Sequence, residues 1–324
     1  MKTMKWLIRR EFWEHKGSFF WAPLIVAAIM SVFILGIVSL GVSADNIRGT
    51  YGEVNDTQVS MSTLAAQVSD AQKAQLANTM ANAYMFVTAP LFIVLSFIVF
   101  FYCLSSLYEE RRDRSILFWK SLPVSDGMTV LSKLMMAAGV APLITIAVAT
   151  VTSLLVLLMF CAALAFKGIN VFGLLLSTPA LYAAPFQLLG MLPIYLLWAL
   201  PTIGWLLMVS AWARSKVFLW AVGVPCLSMA LLVWAERLFN FQWNIVWYAK
   251  NIVARLLLGV IPGGWVSLVD LGNAQIITQH RSGVEMSGIF TQSWATLAYP
   301  ELWIGVAAGV AMIYVAIRLR RWRE

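Results

Sequence analysis

The densest run of chemically active side chains lies between Tyr108 and Ser125. Glu109, Glu110, Arg111, Arg112, Asp113 and Arg114 form a block of mixed charge directly after a long apolar run. Ile116, Trp119 and Leu122 follow at near-helical spacing, and Pro123 ends the helix they predict. This set suits docking, not covalent chemistry. A merely solvated loop has no need of Phe118, Trp119 and Leu122. A short amphipathic helix of this kind either lies on a bilayer or sits in a partner's groove.

Other reactive groups are scattered. Ser96, Ser105, Ser153 and Ser210 sit in apolar runs with no histidine or carboxylate at the same depth to activate them. Cys103, Cys161 and Cys226 occupy three different apolar runs and read as small hydrophobes, with no disulfide framework or zinc site indicated. The two histidines, His15 and His280, fall on opposite predicted sides of a membrane, which argues against a histidine metal centre in one chain. No Gly-Lys dipeptide occurs, so the backbone-and-lysine cradle of a P-loop is missing. The chain is expected not to be an enzyme: any ATP hydrolysis belongs to another polypeptide.

The elements that carry these residues are set by hydropathy. Of 324 residues, 61% are hydrophobic and 12% charged, about half the charged share of a soluble domain. Mean hydropathy is +0.80, which calls for lipid as solvent. The net charge of +8 comes from basic residues flanking apolar runs, so it reads as topology and not as nucleic-acid binding. Charge-free gaps separate Lys16 from Asp45, Lys73 from Glu109, Lys133 from Lys167, Lys167 from Arg214, Lys216 from Glu236, and Glu301 from Arg318. They predict an all-α polytopic membrane protein with six transmembrane helices, near Phe20–Val42, Tyr84–Leu107, Gly139–Leu164, Leu188–Ala211, Val217–Trp234 and Leu302–Ile317. The 168–213 gap could hold two spans instead of one. Six spans put 16 Lys and Arg inside and 7 outside, whereas seven give 14 and 9, so the positive-inside rule favours six. The first span is too long for a signal-peptide core.

Residues 1–18 predict an interfacial amphipathic helix, with Met4, Leu7, Ile8 and Phe12 at helical spacing and Lys2, Lys5, Arg9 and Arg10 supplying charge. It either anchors the chain or contacts a partner. Residues 43–83 read as a polar external loop with a helix around Met61–Met80, and residues 108–133 as a cytoplasmic loop. Gly168 to Pro185 reads as an external, partly membrane-dipping segment. In 235–300, the apolar stretch Trp243–Leu268 is broken by Lys250, Arg255 and Pro262-Gly263-Gly264, which suits re-entrant or interfacial helices. The whole chain, 1–324, is expected to be one transmembrane domain.

The predicted spans contain no Asp, Glu, Lys, Arg or His, unlike many ion-driven carriers. Pro23, Pro90, Pro142, Pro193, Pro201 and Pro225 are expected to kink them. In the fourth span, Trp198, Trp205 and Met208 form either an aromatic surface for an apolar substrate or ordinary helix packing.

The charged block, then Ser115-Ile116-Leu117, then Ser121-Leu122-Pro123-Val124-Ser125, with Lys133 opening the next span, resembles the ABC-2 family of exporter permeases. Many members have Glu-Gly-Thr-Leu where this chain has Asp113-Arg114-Ser115-Ile116. The resemblance implies a bacterial inner-membrane permease with both termini cytoplasmic. It implies a coupling helix within Glu109–Val124 that rests on a separate ATPase subunit, which binds the ATP and magnesium. It also implies a second permease copy. Arg111, Arg112 and Arg114 would pair with acidic residues of the ATPase, while Trp119 and Leu122 fill a groove. A secondary transporter or channel, or a non-transporting membrane scaffold, are the other readings.

Overall fold

The computed structural model describes residues 2–51, 69–113, 124–166, 168–239, 244–268 and 286–322, with side chains described from residue 3 and not over 41–51. The coupling segment 114–123, with Arg114, Trp119, Leu122 and Pro123, lies outside the described residues, as does His280. Among the described residues the fold is all-helical. Helix α1 spans Lys2–Glu14. Six further helices among the described residues are long and apolar enough to cross a membrane: α2 (Gly17–Leu40), α3 (Asp70–Arg112), α4 (Asp126–Phe166), α5 (Pro179–Trp212), α6 (Val217–Phe239) and, last of them, α9 (Pro300–Trp322). Between α6 and α9 lie α7, a continuous run of Ile245–Tyr248, Ala249–Ala254 and Arg255–Leu258, and α8 (Met286–Ala295).

Several boundaries differ from expectation, each for a local reason. The backbone after α2 stays helical to Tyr51, through Gly41 and Gly49, with no proline between Pro23 and Tyr51 to break the hydrogen-bond ladder. Helix α3 starts at Asp70, where Ser69 and Gln72 form a capping box, so this part of the expected external loop is continuous with the second span. Within α3, Tyr84–Thr88 tightens to a 3-10 turn just before Pro90. The π-turns Gly17–Trp21 and Met136–Val140 likewise precede Pro23 and Pro142. A proline ring crowds the preceding turn and removes one hydrogen bond, so the helix re-registers locally. Helix α5 begins nine residues before the expected Leu188, at Pro179.

The core lies where α3, α5 and α9 meet α4. Ile203, Leu206 and Leu207 of α5 and Leu302 of α9 are fully buried. Helices α5 and α9 touch backbone to backbone: a Cβ on Gly204 would lie 2.6 Å from the Gly309 carbonyl oxygen. Small residues allow this approach where lipid offers no hydrophobic gain for packing. The outer surface is apolar, with Phe33 and Leu40 of α2 and Leu219 and Leu227 of α6 at least 60% exposed. A surface of that kind needs lipid around it.

Candidate functional site

The ends of α1, α3, α4, α5 and α9 converge on one side of the bundle, where nearly all the buried charge collects. On α1, Leu7 and Glu11 face inward and are fully buried, while Trp6 and Trp13 point outward. Glu11 accepts from the Tyr102 hydroxyl at 2.8 Å and from Lys133 Nζ at 3.1 and 3.2 Å, and Arg10 also donates to it. Lys133, itself buried, pairs with Glu110 at 3.0 Å. Glu110 Oε2 accepts from Arg320 Nη1 at 2.5 Å, and Arg320 Nε donates to Asp126 at 3.1 Å. The result is an alternating chain, Glu11–Lys133–Glu110–Arg320–Asp126, flanked by Arg10 against Glu11, Glu14 and Glu110.

Local sequence sets each member. Ser125 caps α4 by accepting from Met128 N–H, and this puts Asp126 in the first turn, where the helix dipole favours an acid. Arg320 lies in the last turn of α9 and Arg111 in the last turn of the Ala89–Arg112 helix, where the dipole favours a base. The set Glu11, Glu110 and Asp126 against Arg10, Lys133 and Arg320 is charge-balanced. That balance lets it stay buried, since an unpaired charge here would be strongly destabilising. Burial alone would raise the Glu11 pKa. The Lys133 and Arg10 charges, with hydrogen bonds from Tyr102 and Lys133, outweigh burial and hold the carboxyl below its usual value. Among the described residues no three His, Cys, Asp or Glu side chains gather as a metal site.

The coupling residues expected from sequence divide here. Glu109, Arg112 and Asp113 are exposed, with Arg112 and Asp113 paired to each other at 3.2 Å. Glu110 and Arg111 turn inward. The Arg111 guanidinium donates to the carbonyls of Ser210 and Ala213, and Ser210 Oγ accepts from the amides of Leu107 and Tyr108 at 3.1 and 3.0 Å. Arg111 thus satisfies carbonyls at the C-terminal end of α5 and ties that end to α3. Glu11, Lys133, Asp126 and Arg320 were not singled out by the sequence as a cluster. One signal was there: Leu7, Ile8 and Phe12 at helical spacing put Glu11 on the same face. His15 meets Tyr102 edge-on beside this site, with ring centroids 5.0 Å apart.

At the opposite end a single cation does similar work. Arg255 of α7, 5% exposed, donates to the carbonyls of Glu301 and Leu302 and lies over the Trp198 ring at 4.6 Å. Thr202 donates to the Arg255 carbonyl at 2.7 Å. Gly305 makes room, since a Cβ there would sit 2.2 Å from the guanidinium. Trp198, Trp205 and Met208, for which the sequence leaves a substrate surface and helix packing both open, each make contacts within the bundle. Trp198 N–H donates to Thr296 Oγ1 at 3.2 Å, Trp205 N–H donates to the Ala221 carbonyl at 2.9 Å, and Met208 packs on the core.

Comparison with known proteins adds no relative: no family model, curated protein or solved structure matches this chain.

Proposed function

We propose that this chain is the membrane-spanning permease subunit of an ATP-driven exporter of the ABC-2 type. Two permease subunits pair to form the pathway, and each rests on a separate ATPase subunit that holds ATP and magnesium. The charged end faces the cytoplasm, in keeping with the excess of Lys and Arg predicted there. α7 and the Pro262-Gly263-Gly264 turn enter the membrane from the external face.

One observation carries the reading. Arg320 pairs with both Glu110 and Asp126, and these two residues border segment 114–123 on either side. A push on that segment is therefore handed to α3, α4 and α9 together, as coupling to an external engine requires. Glu109, Arg112 and Asp113 remain exposed for contact with the ATPase, while Glu110 and Arg111 hold the permease's own helix ends.

Co-purification with an ATPase, followed by transport in vesicles, tests the proposal. Trp119→Asp is expected to insert normally yet lose stimulation of the ATPase and transport. Unchanged stimulation and transport in that variant would overturn the coupling role. Flux driven by an ion gradient through the isolated chain would make it a secondary transporter instead.

A further inference from the structure

Near the end opposite the charge chain, the bundle encloses an apolar cavity of about 280 Å³. Phe92 of α3, Ile146 of α4, Leu192 of α5 and Ile289 of α8 supply its walls. Pro262 and Gly263, which the sequence marked only as a break in an apolar run, contribute the roof. Trp265 also lines it, and its N–H is already taken by Ser293 Oγ at 3.0 Å. Tyr195 lines it too, and its buried hydroxyl has no hydrogen-bond partner among the described residues, so the lining is apolar apart from that one group. Apolar cavities of roughly 150 Å³ stay dry and accept a benzene-sized guest, and this one is nearly twice that size. Its rim opens sideways: Ile93, a wall residue in the apolar part of α3, is 55% exposed on the outer flank. An occupant entering there comes from the hydrocarbon layer.

We propose that this cavity is a binding site for a single unbranched alkyl chain, the tail of a lipid or of another amphiphile, entering beside Ile93. A compact polar solute finds a single side-chain partner among the lining residues, the Tyr195 hydroxyl, whereas a flexible chain fills an irregular apolar space at little desolvation cost. The site is independent of the ATPase-coupled reading and stands without it.

The full chain in lipid nanodiscs is illuminated with two probes in separate arms, a phosphatidylcholine and a free palmitic acid, each with a diazirine near the tail end. Adducts are then mapped by peptide mass spectrometry. Adducts are expected to concentrate on peptides carrying Phe92, Leu192 and Pro262, well above those carrying Phe33 and Leu227. The arm that labels identifies the source of the chain, and labelling in both arms shows that the tail alone is recognised. Leu192→Trp, which fills the cavity, should cut cavity adducts by roughly tenfold and leave Phe33 adducts unchanged. Ala89→Phe, at an exposed rim position, repeats the test with little risk to folding. Equal labelling of cavity and lipid-facing peptides in both arms, or cavity adducts indifferent to both substitutions, would overturn the proposal.

Discussion

Helix α9 is gripped by an arginine at each end, and the two grips differ in kind. Arg320 belongs to a chain of alternating charges contributed by α1, α3, α4 and α9. Among the described residues Arg255 hydrogen-bonds to neutral carbonyls and covers an indole. A cation among carbonyls fixes one geometry, because the carbonyls belong to a helix and cannot leave. An alternating charge chain depends on every member, since the loss of one strands its neighbours in a region of low dielectric. The charged end is therefore the one whose members depend on each other, and the opposite end rests on a single side chain against fixed carbonyls.

Breaking the charge chain in its middle should have the largest effect. Lys133→Met leaves Glu11 and Glu110 with Arg10 as their one remaining shared cation among the described residues, and should cost about 3–5 kcal/mol. Thermal unfolding in nanodiscs measures this. Adding Glu11→Leu should recover more than half of the loss, because it restores charge balance. An additive double variant would remove the distinction between the two ends.

Arg255→Met comes next, at about 2 kcal/mol, from the loss of two hydrogen bonds and the contact with Trp198. Hydrogen exchange should quicken across 245–258 while α1 stays protected. No carboxylate substitution should rescue it. Gly305→Ala sharpens the same point at about 1–2 kcal/mol, since the added methyl displaces the guanidinium without removing it. Exchange should again rise in α7 alone.

Acid should separate the ends with the smallest energy. The Glu11 pKa is depressed in the fold, so its contribution is complete above the ordinary 4.5 and is lost as pH falls through the lowered value. The Arg255 guanidinium stays charged across that range, because arginine does not lose its proton in acid. Below pH 4.5, α1 should loosen first, seen as greater quenching of Trp6 and Trp13 by an aqueous quencher. Simultaneous loosening of α7 would contradict this order.

The six long helices were legible from the chain because each satisfies its own backbone hydrogen bonds, so an apolar run of sufficient length is enough to define one. The division of the charged block was less so. Glu110 and Arg111 are neighbours of Glu109 and Arg112 in the same run, and only helix orientation separates the inward pair from the outward one. Glu11 carries no local mark of burial, because its charge is balanced by Lys133 and Arg10 and Lys133 is distant in sequence, although its spacing from Leu7 put it on the inner face.

By itself, the sequence determined the number, order and lipid-facing character of the helices, since these rest on local composition and period. The pairing of Glu110 with Arg320 across 210 residues, the capture of Glu301 by Arg255 and the Gly204–Gly309 contact were decided only by tertiary structure. Such contacts depend on the relative rotation and height of separate helices, and no local spacing encodes those.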